Sequence, residues 1–504
     1  MTAQVLMVQG TASSVGKSLL VTALCRILRQ DGVRVAPFKA QNMSNNSYVT
    51  RDGGEMGRAQ VAQAEAAGLE PEVCMNPILL KPESDHRSQI VLNGRPYRTV
   101  EAGEYFRIKR ELWPAVTSAL DELRRRFDAV VIEGAGSPAE INLRAGDIVN
   151  MRVARYADAS VLLVGDIDRG GVFAHLLGTL MLLEPEERGL VRALAINKFR
   201  GDPALLAPGL DMLTERTGLP IAGVIPYLHD PGVADEDAVA LDGHKPRANG
   251  LLDIAVIQFP HISNFDDFDP LESEPGVRLR YVSSPERLGT PDLVILPGSK
   301  ATVADLLWLR ERGLDRAVAR LAENEGAIVG VCGGYQMLGR RVLDGEKIES
   351  SLPKIDGLGL LPVETDFAPV KSTHQVRATV LGGDGLLSGA EGLAIEGYEI
   401  HMGLTRSDGG IPFLIDRRSG EAWAEADGAI SADGWILGTY LHGLFANDGL
   451  RRAMLANLAG RKGVRLIESH VSGGKEAAYD RLASHVRASL NMDLIHGLMR
   501  PRVC

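Results

Sequence analysis

Residues 10–18 read GTASSVGKS, between an apolar run and an amphipathic stretch. A Gly-rich turn feeding a helix N-terminus aims backbone N–H groups at phosphate oxygens. In that setting Lys17 bridges the β- and γ-oxygens of ATP, and the Ser18 hydroxyl takes Mg²⁺. The spacing is unusual, because Gly10 lies six residues before Gly16 and Thr11 stands at the usual first-glycine position. The expected ATP contacts here are Gly10, Thr11, Gly16, Lys17 and Ser18; the bland alternative is an incidental Gly/Ser turn. A second segment, GVCGG at 330–334, follows the apolar run AIV. G-x-C-x-G is the thiol counterpart of a nucleophile elbow, a sharp strand-to-helix turn that exposes the side chain. The following helix N-terminus lowers the thiol pKa. The Gly333 N–H would serve as one oxyanion donor, and Gly298, in LPGS at 296–299, as a second. A nucleophilic Cys332 needs a base, and His442 in YLHGLF (440–445) supplies one. Without that partnership, Cys332 is a small buried hydrophobe and His442 a core or loop histidine.

The elements that must position these groups alternate short apolar runs with helical patterns, as βαβ units do. Strands are expected at 5–10, 33–39, 129–134, 160–166 and 193–198, and a helix over Lys17–Gln30 with Leu20, Ala23, Leu24, Ile27 and Leu28 on one stripe. The polar, acidic stretch 229–250 reads as a linker or surface loop. A second α/β series follows, with strands at 253–259, 292–298 and 327–332, then a β-rich piece over 355–445. The simplest division is a first α/β domain at 1–240, a second at 251–450 and a helical tail at 451–504 that ends in a basic RPRVC.

Length and composition bound what these domains can do. A chain of 504 residues fits two or three domains. With 45% hydrophobic and 24% charged residues it is an ordinary globular sequence rather than a disordered one. A net charge of −10 argues against a dedicated nucleic-acid binder. Four cysteines cannot form a disulfide framework, and their spacing is not that of metal ligands. LLGTLMLL (176–183) is far short of a membrane span. A soluble protein in a reducing cytoplasm is the expectation.

The loop GTxxxxGKS resembles that of dethiobiotin-synthetase-like P-loop enzymes, which activate carboxylates by phosphorylation. VVIEGAGSP (130–138) resembles the VEGAG segment of those enzymes and implies Glu133 as a Mg²⁺ ligand. INKF (196–199) resembles their base-recognition segment and makes Asn197 a candidate adenine contact, or a turn former. Asp52, in RDGGE, is either a second metal carboxylate or a turn residue before Gly-Gly. GVCGG and YLHGLF together resemble the class I glutamine amidotransferases, which release ammonia from glutamine through a thioester. Most of these carry Glu two residues after the histidine; Leu444 stands there, as in the cobyrinate-type branch. Over about 1–490 the chain resembles the cobyric acid synthase family, through 10–47, GGEMGRAQ (53–60), MNPILLKP (75–82), GDIDRGGVFA (165–174), INKFRGD (196–202), GVCGGYQMLG (330–339), GYEIHMG (397–403) and GTYLHGLF (438–445).

That resemblance implies a P-loop parallel-sheet domain followed by an amidotransferase α/β domain. It implies ATP- and glutamine-dependent amidation of the b, d, e and g carboxylates of adenosylcobyrinic acid a,c-diamide, a small-molecule corrinoid, with no nucleic-acid or membrane partner. Lys39, in PFKAQNMSNNS, would hold a substrate carboxylate or the acyl phosphate, or is a polar loop residue. Asp166 and Arg169 would touch substrate or metal, or pair with each other. Glu399 and His401 would orient His442, gate the glutamine site, or pack. The rivals are cobyrinic acid a,c-diamide synthase, a P-loop switch ATPase, which would need no thiol–histidine pair, and an inactive scaffold.

Overall fold

The computed structural model describes residues 3–84, 86–229, 231–233, 250–466 and 474–500. Most of the linker expected at 229–250 and the basic end at 501–504 lie outside them. The first sheet is built from β1 (Gln4–Gly10), β2 (Val35–Phe38), β3 (Ala129–Glu133), β4 (Ser160–Asp166), β5 (Val191–Phe199) and β6 (Ile221–Pro226), in the order β6-β5-β4-β1-β3-β2. Every pairing is parallel. Continuous apolar runs such as VLLV suit strands covered on both faces, and β4 is buried throughout. Helix α1 (Lys17–Gln30) covers one face, burying Leu20, Leu24 and Ile27. Helix α2 (Arg58–Ala67) packs beside it.

A four-stranded sheet, Gln41–Met43, Ile78–Pro82, Arg87–Leu92 and Arg95–Glu101, is inserted after β2. None of these four strands is among those expected from the sequence.

The second half holds β7 (Leu252–Ile257), β8 (Val277–Val282), β9 (Leu293–Leu296), β10 (Ala327–Val331), helix α3 (Gly333–Leu338), the long antiparallel pair β11 (Val363–Val380) and β12 (Ala394–Ser407), β13 (Ala429–Ile430) and β14 (Ile436–Thr439). The order β8-β7-β9-β10-β14-β13 is parallel except at the short β13 edge. The β-rich piece expected over 355–445 is therefore largely a second sheet, centred on β11, whose strands contact α3.

The tail is not one unit. Helix α4 (Asp448–Lys462) buries Leu450, Met454 and Leu458 in the core of the second half. Helices α5 (Gly474–Ser489) and α6 (Met492–Met499) return to the first, where Leu482, Val486 and Ile495 join the core beneath α1. Arg26 of α1 clasps Glu476 at 2.8 Å and Asp480 at 2.7 Å. The tail thus closes the first domain's exposed helix face, which a parallel sheet must cover.

Candidate active sites

The phosphate loop lies between β1 and α1, as the spacing requires. Gly16 precedes α1 in the left-handed region (φ 94°), and a Cβ there would stand 2.3 Å from Asn197 Nδ2, so only glycine fits. The first turn of α1 holds no acidic residue, leaving its N–H end open to an anion. Gly10 and Thr11 close the strand end, where the Thr11 N–H donates to Val164. Lys17 Nζ, folded back over the loop, donates to the carbonyls of Ala12 at 3.0 Å and Gly136 at 3.1 Å. These are oxygens that a phosphate would replace.

Behind it, the Ser18 hydroxyl donates to Glu133 Oε1 at 2.8 Å. Lys39 Nζ reaches the same oxygen at 2.9 Å, and Gln63 donates to Oε2 at 2.5 Å. The fully buried Glu133 carboxylate is thus shared by the phosphate loop, by the polar segment after β2 and by α2. Serine hydroxyl and carboxylate are hard oxygen donors of the kind Mg²⁺ selects, and the buried amide oxygens of Gln60 and Gln63 beside them lack hydrogen-bond partners. The residues present fit that ion.

Three sequence expectations are relocated here. Asn197 donates to the Val15 carbonyl at 2.8 Å, so its amide braces the loop. Asp166 does not pair with Arg169; it receives Lys198 Nζ at 3.0 Å, and that amine also holds the Ser14 carbonyl at 2.6 Å. Asp52 is exposed in the turn between the strands Ser47–Val49 and Glu55–Gly57, bonded to Thr50, and does not join Ser18 and Glu133. Its Asp-Gly-Gly sequence forms that turn. A cavity of about 1440 Å³ opens over the loop; Lys17, Ser18, Lys39, Asn46, Glu133 and Arg169 are among its walls.

In the second half, Cys332 sits between β10 and α3 with φ 52° and ψ −108°, a strained conformation for a residue with a Cβ. Its Sγ lies 3.6 Å from the Ile400 carbonyl. Gly333 and Gly298 flank it: a Cβ at 333 would stand 2.9 Å from the Ser299 nitrogen, and one at 298 would stand 3.1 Å from the His442 ring. His442 follows β14, is 1% exposed, and directs Nδ1 to Asp267 Oδ2 at 2.6 Å. Asp267 Oδ1 also accepts the Gly443 N–H at 2.9 Å. The other ring nitrogen, Nε2, is buried without a hydrogen-bond partner, and the histidine interacts electrostatically with Cys332. Burial alone would lower the His442 pKa, but Asp267 and Cys332 outweigh it and push it up to about 10. An imidazolium held this way stabilises a thiolate and has a proton to give to a departing amine.

Asp267 is the functional residue that sequence reasoning missed. It lies on the single 3₁₀ turn Phe265–Phe268, supplied from 175 positions before the histidine. Leu444, at the place where an acid was sought, is simply buried. Glu399 and His401 do not touch His442. Glu399 pairs with Arg418 at 2.9 Å, and His401 stacks on Tyr440. Their segment acts through its neighbours: Tyr398 stacks on the His442 ring at 5.2 Å, and a Cβ on Gly397 would stand 2.4 Å from the His442 carbonyl oxygen.

Among the described residues the other two cysteines are buried thiols. Burial pushes the Cys25 thiol well above its ordinary range and the Cys74 thiol up to about 12. Cys74 meets Glu72 and Glu122, but Arg126 already holds both carboxylates, at 2.6 and 2.9 Å.

Comparison with known proteins finds relatives of both halves. Residues 6–237 match the family described as the CobQ/CobB/MinD/ParA nucleotide binding domain. Residues 253–450 match the CobB/CobQ-like glutamine amidotransferase domain. The chain is 54% identical to the cobyric acid synthase of Sorangium cellulosum, over 99% of this chain and all of that one. It is 55% identical to that of Roseiflexus castenholzii (97% and 98% covered) and 53% identical to that of Chloroflexus aurantiacus (99% and 100% covered).

A nucleotide-binding P-loop domain fused to a glutamine amidotransferase defines an ATP-dependent, glutamine-hydrolysing amide ligase. Within that class, the chain belongs to the cobyric acid synthase family. Among the described residues no helix is long and apolar enough to cross a membrane.

Proposed function

We propose that the protein amidates the b, d, e and g carboxylates of adenosylcobyrinic acid a,c-diamide, spending one ATP and one glutamine on each amide. The observation that carries this reading is identity of 54% to a cobyric acid synthase along essentially its whole length. In the second half, the Cys332 thiolate attacks the glutamine side-chain carbonyl. The developing oxyanion is met by the backbone N–H groups of Gly333 and Gly298. His442 gives its proton to the departing ammonia, leaving a thioester; the now neutral ring then takes a proton from the water that hydrolyses it. Asp267 keeps the ring oriented throughout.

In the first half, Lys17 and the loop N–H groups hold the ATP phosphates. Ser18 and Glu133 would hold Mg²⁺, which neutralises phosphate charge when bound. A corrinoid carboxylate oxygen attacks the γ-phosphorus, and ADP leaves. Ammonia attacks the carbonyl carbon of the acyl phosphate, phosphate departs with the carboxylate oxygen that had attacked phosphorus, the nitrogen loses a proton, and an amide remains. Lys39, beside Glu133 in the wall of the cavity, lies where it can meet the substrate carboxylate. Asn197 and Asp166 serve ATP binding by bracing the loop through the Val15 carbonyl and Lys198. The reaction fits a cytoplasmic enzyme that meets ATP, glutamine and a soluble corrinoid together.

The test is glutamine-dependent ATP hydrolysis measured with cobyrinic acid and with its a,c-diamide in separate reactions. Stimulation by the a,c-diamide supports the assignment; stimulation by cobyrinic acid alone overturns it in favour of the a,c-diamide-forming reaction.

A further inference from the structure

The turn that carries Asp267 is held from outside its own domain. Asn46 Oδ1 accepts the Phe265 N–H at 3.3 Å, and Asn264 Oδ1 accepts the Ser47 N–H at 3.2 Å. Arg58, the first residue of α2, places Nε 2.7 Å from Asp266 Oδ2. Asp266 is the immediate neighbour of the acid that orients His442, and its other carboxylate oxygen is buried without a partner. Asn264, at the start of the turn, adopts the left-handed region (φ 53°) and donates Nδ2 to the Tyr398 hydroxyl at 3.0 Å. Tyr398 in turn stacks on His442. A buried carboxylate without a cation would have to take up a proton or move. Arg58 therefore opposes the loss of charge that burial and the neighbouring Asp267 favour at Asp266, and fixes the position of Asp266 and, through the shared backbone, of Asp267.

The same helix reaches the ATP site. Gln63 lies five residues after Arg58, roughly 7.5 Å along the axis at ~1.5 Å per residue, and it donates to Glu133. One rigid helix thus touches the carboxylate beneath the phosphate loop and the turn behind the glutaminase histidine.

We propose that Arg58 of the ATP-binding domain is a positioning residue for the glutaminase site, acting through Asp266 to set Asp267 and His442. The inference rests on reading Cys332, His442 and Asp267 as the glutaminase. Its consequence is that ammonia is released efficiently only where α2 is seated against the amidotransferase domain, which ties glutamine hydrolysis to the domain that consumes the ammonia.

The experiment measures glutaminase kcat and KM, together with ammonia-dependent amidation, in the full chain carrying Arg58→Met, Arg58→Lys, Asp266→Asn and the Arg58→Met/Asp266→Asn pair. Arg58→Met is expected to lower glutaminase kcat at least about tenfold, with the glutamine KM and ammonia-dependent amidation each within about twofold of wild type. Arg58→Lys should recover a substantial part of the lost kcat, because a cation again faces Asp266. In the paired variant, Arg58→Met should add little to Asp266→Asn, since residues acting through one contact are not additive. Unchanged kcat in Arg58→Met, or full additivity in the pair, overturns the proposal. Equal loss of ammonia-dependent amidation in Arg58→Met also overturns it, because it marks general damage. Cys332→Ala in parallel separates the two readings: if it retains glutaminase, the underlying site assignment has failed, whereas its inactivity beside a normal Arg58→Met rejects only the role of Arg58.

Discussion

Replacing Asp267 by Asn keeps the side-chain shape and removes the charge that faces His442 Nδ1 at 2.6 Å. The His442 pKa rises from 6.5 to about 10 in the fold, against the lowering effect of burial. At about 1.4 kcal/mol per tenfold, that is a preference for imidazolium of roughly 5 kcal/mol, shared between Asp267 and Cys332. The amide would also favour the wrong ring tautomer. Loss of the acid in comparable nucleophile–histidine–acid sites lowers kcat by up to about 10⁴. Glutaminase kcat in Asp267→Asn should therefore fall about 10²- to 10⁴-fold, while ammonia-dependent amidation persists. The same substitution has a signature in stability. A histidine with a raised folded pKa contributes stability that is fully present below about pH 6.5 and is lost as pH rises through about 10. Chemical denaturation between pH 6 and 10 should show that loss in the wild type and a much smaller one in Asp267→Asn. Near-normal glutaminase in the variant, with an unchanged pH dependence of unfolding, would refute the role of Asp267.

Other substitutions divide the two halves. Cys332→Ala should abolish glutamine-dependent amidation and leave activity with high ammonium largely intact, as read by product formation with each nitrogen source. Lys17→Ala should remove amidation with either source while basal glutaminase survives, since its amine lies in the first half, against the carbonyls of Ala12 and Gly136. Gly397→Ala drives a Cβ to within 2.4 Å of the His442 carbonyl oxygen, so the histidine must move. Its glutaminase should fall at least about tenfold with ammonia-dependent synthesis retained, measured in the same pair of assays.

The parts of both sites that were legible in the sequence are those in which chemistry and chain direction coincide. Lys17, Ser18 and Cys332 lie at strand-to-helix turns, where apolar run, glycine and helical stripe follow one another within about a dozen residues. Glu133 and His442 also stand at strand ends, where Glu133 meets the Ser18 hydroxyl and His442 lies close enough to interact with Cys332. Asp267 was not legible, because nothing local separates it from Asp266 and Asp269 in FDDFD; only the tertiary fold turns one toward His442 and another toward Arg58. The one available clue was a pair of acids flanked by two phenylalanines, an environment too apolar for unpaired charges. Asp52 shows the opposite case, since its local turn places it apart from Ser18 and Glu133. The division of the tail between the two halves was equally hidden, because an amphipathic helix does not state which core it joins.

The central claim is that one ATP site and one glutaminase site amidate several carboxylates of one corrinoid in succession. The direct measurement is a time course with amide-¹⁵N glutamine, ATP and the a,c-diamide, followed by mass spectrometry of the corrinoid. The expected result is stepwise mass increases with released, partly amidated intermediates, ending at four labelled nitrogens with one ATP consumed for each. Arrest after a single amidation, or labelling only when unamidated cobyrinic acid is supplied, would contradict it.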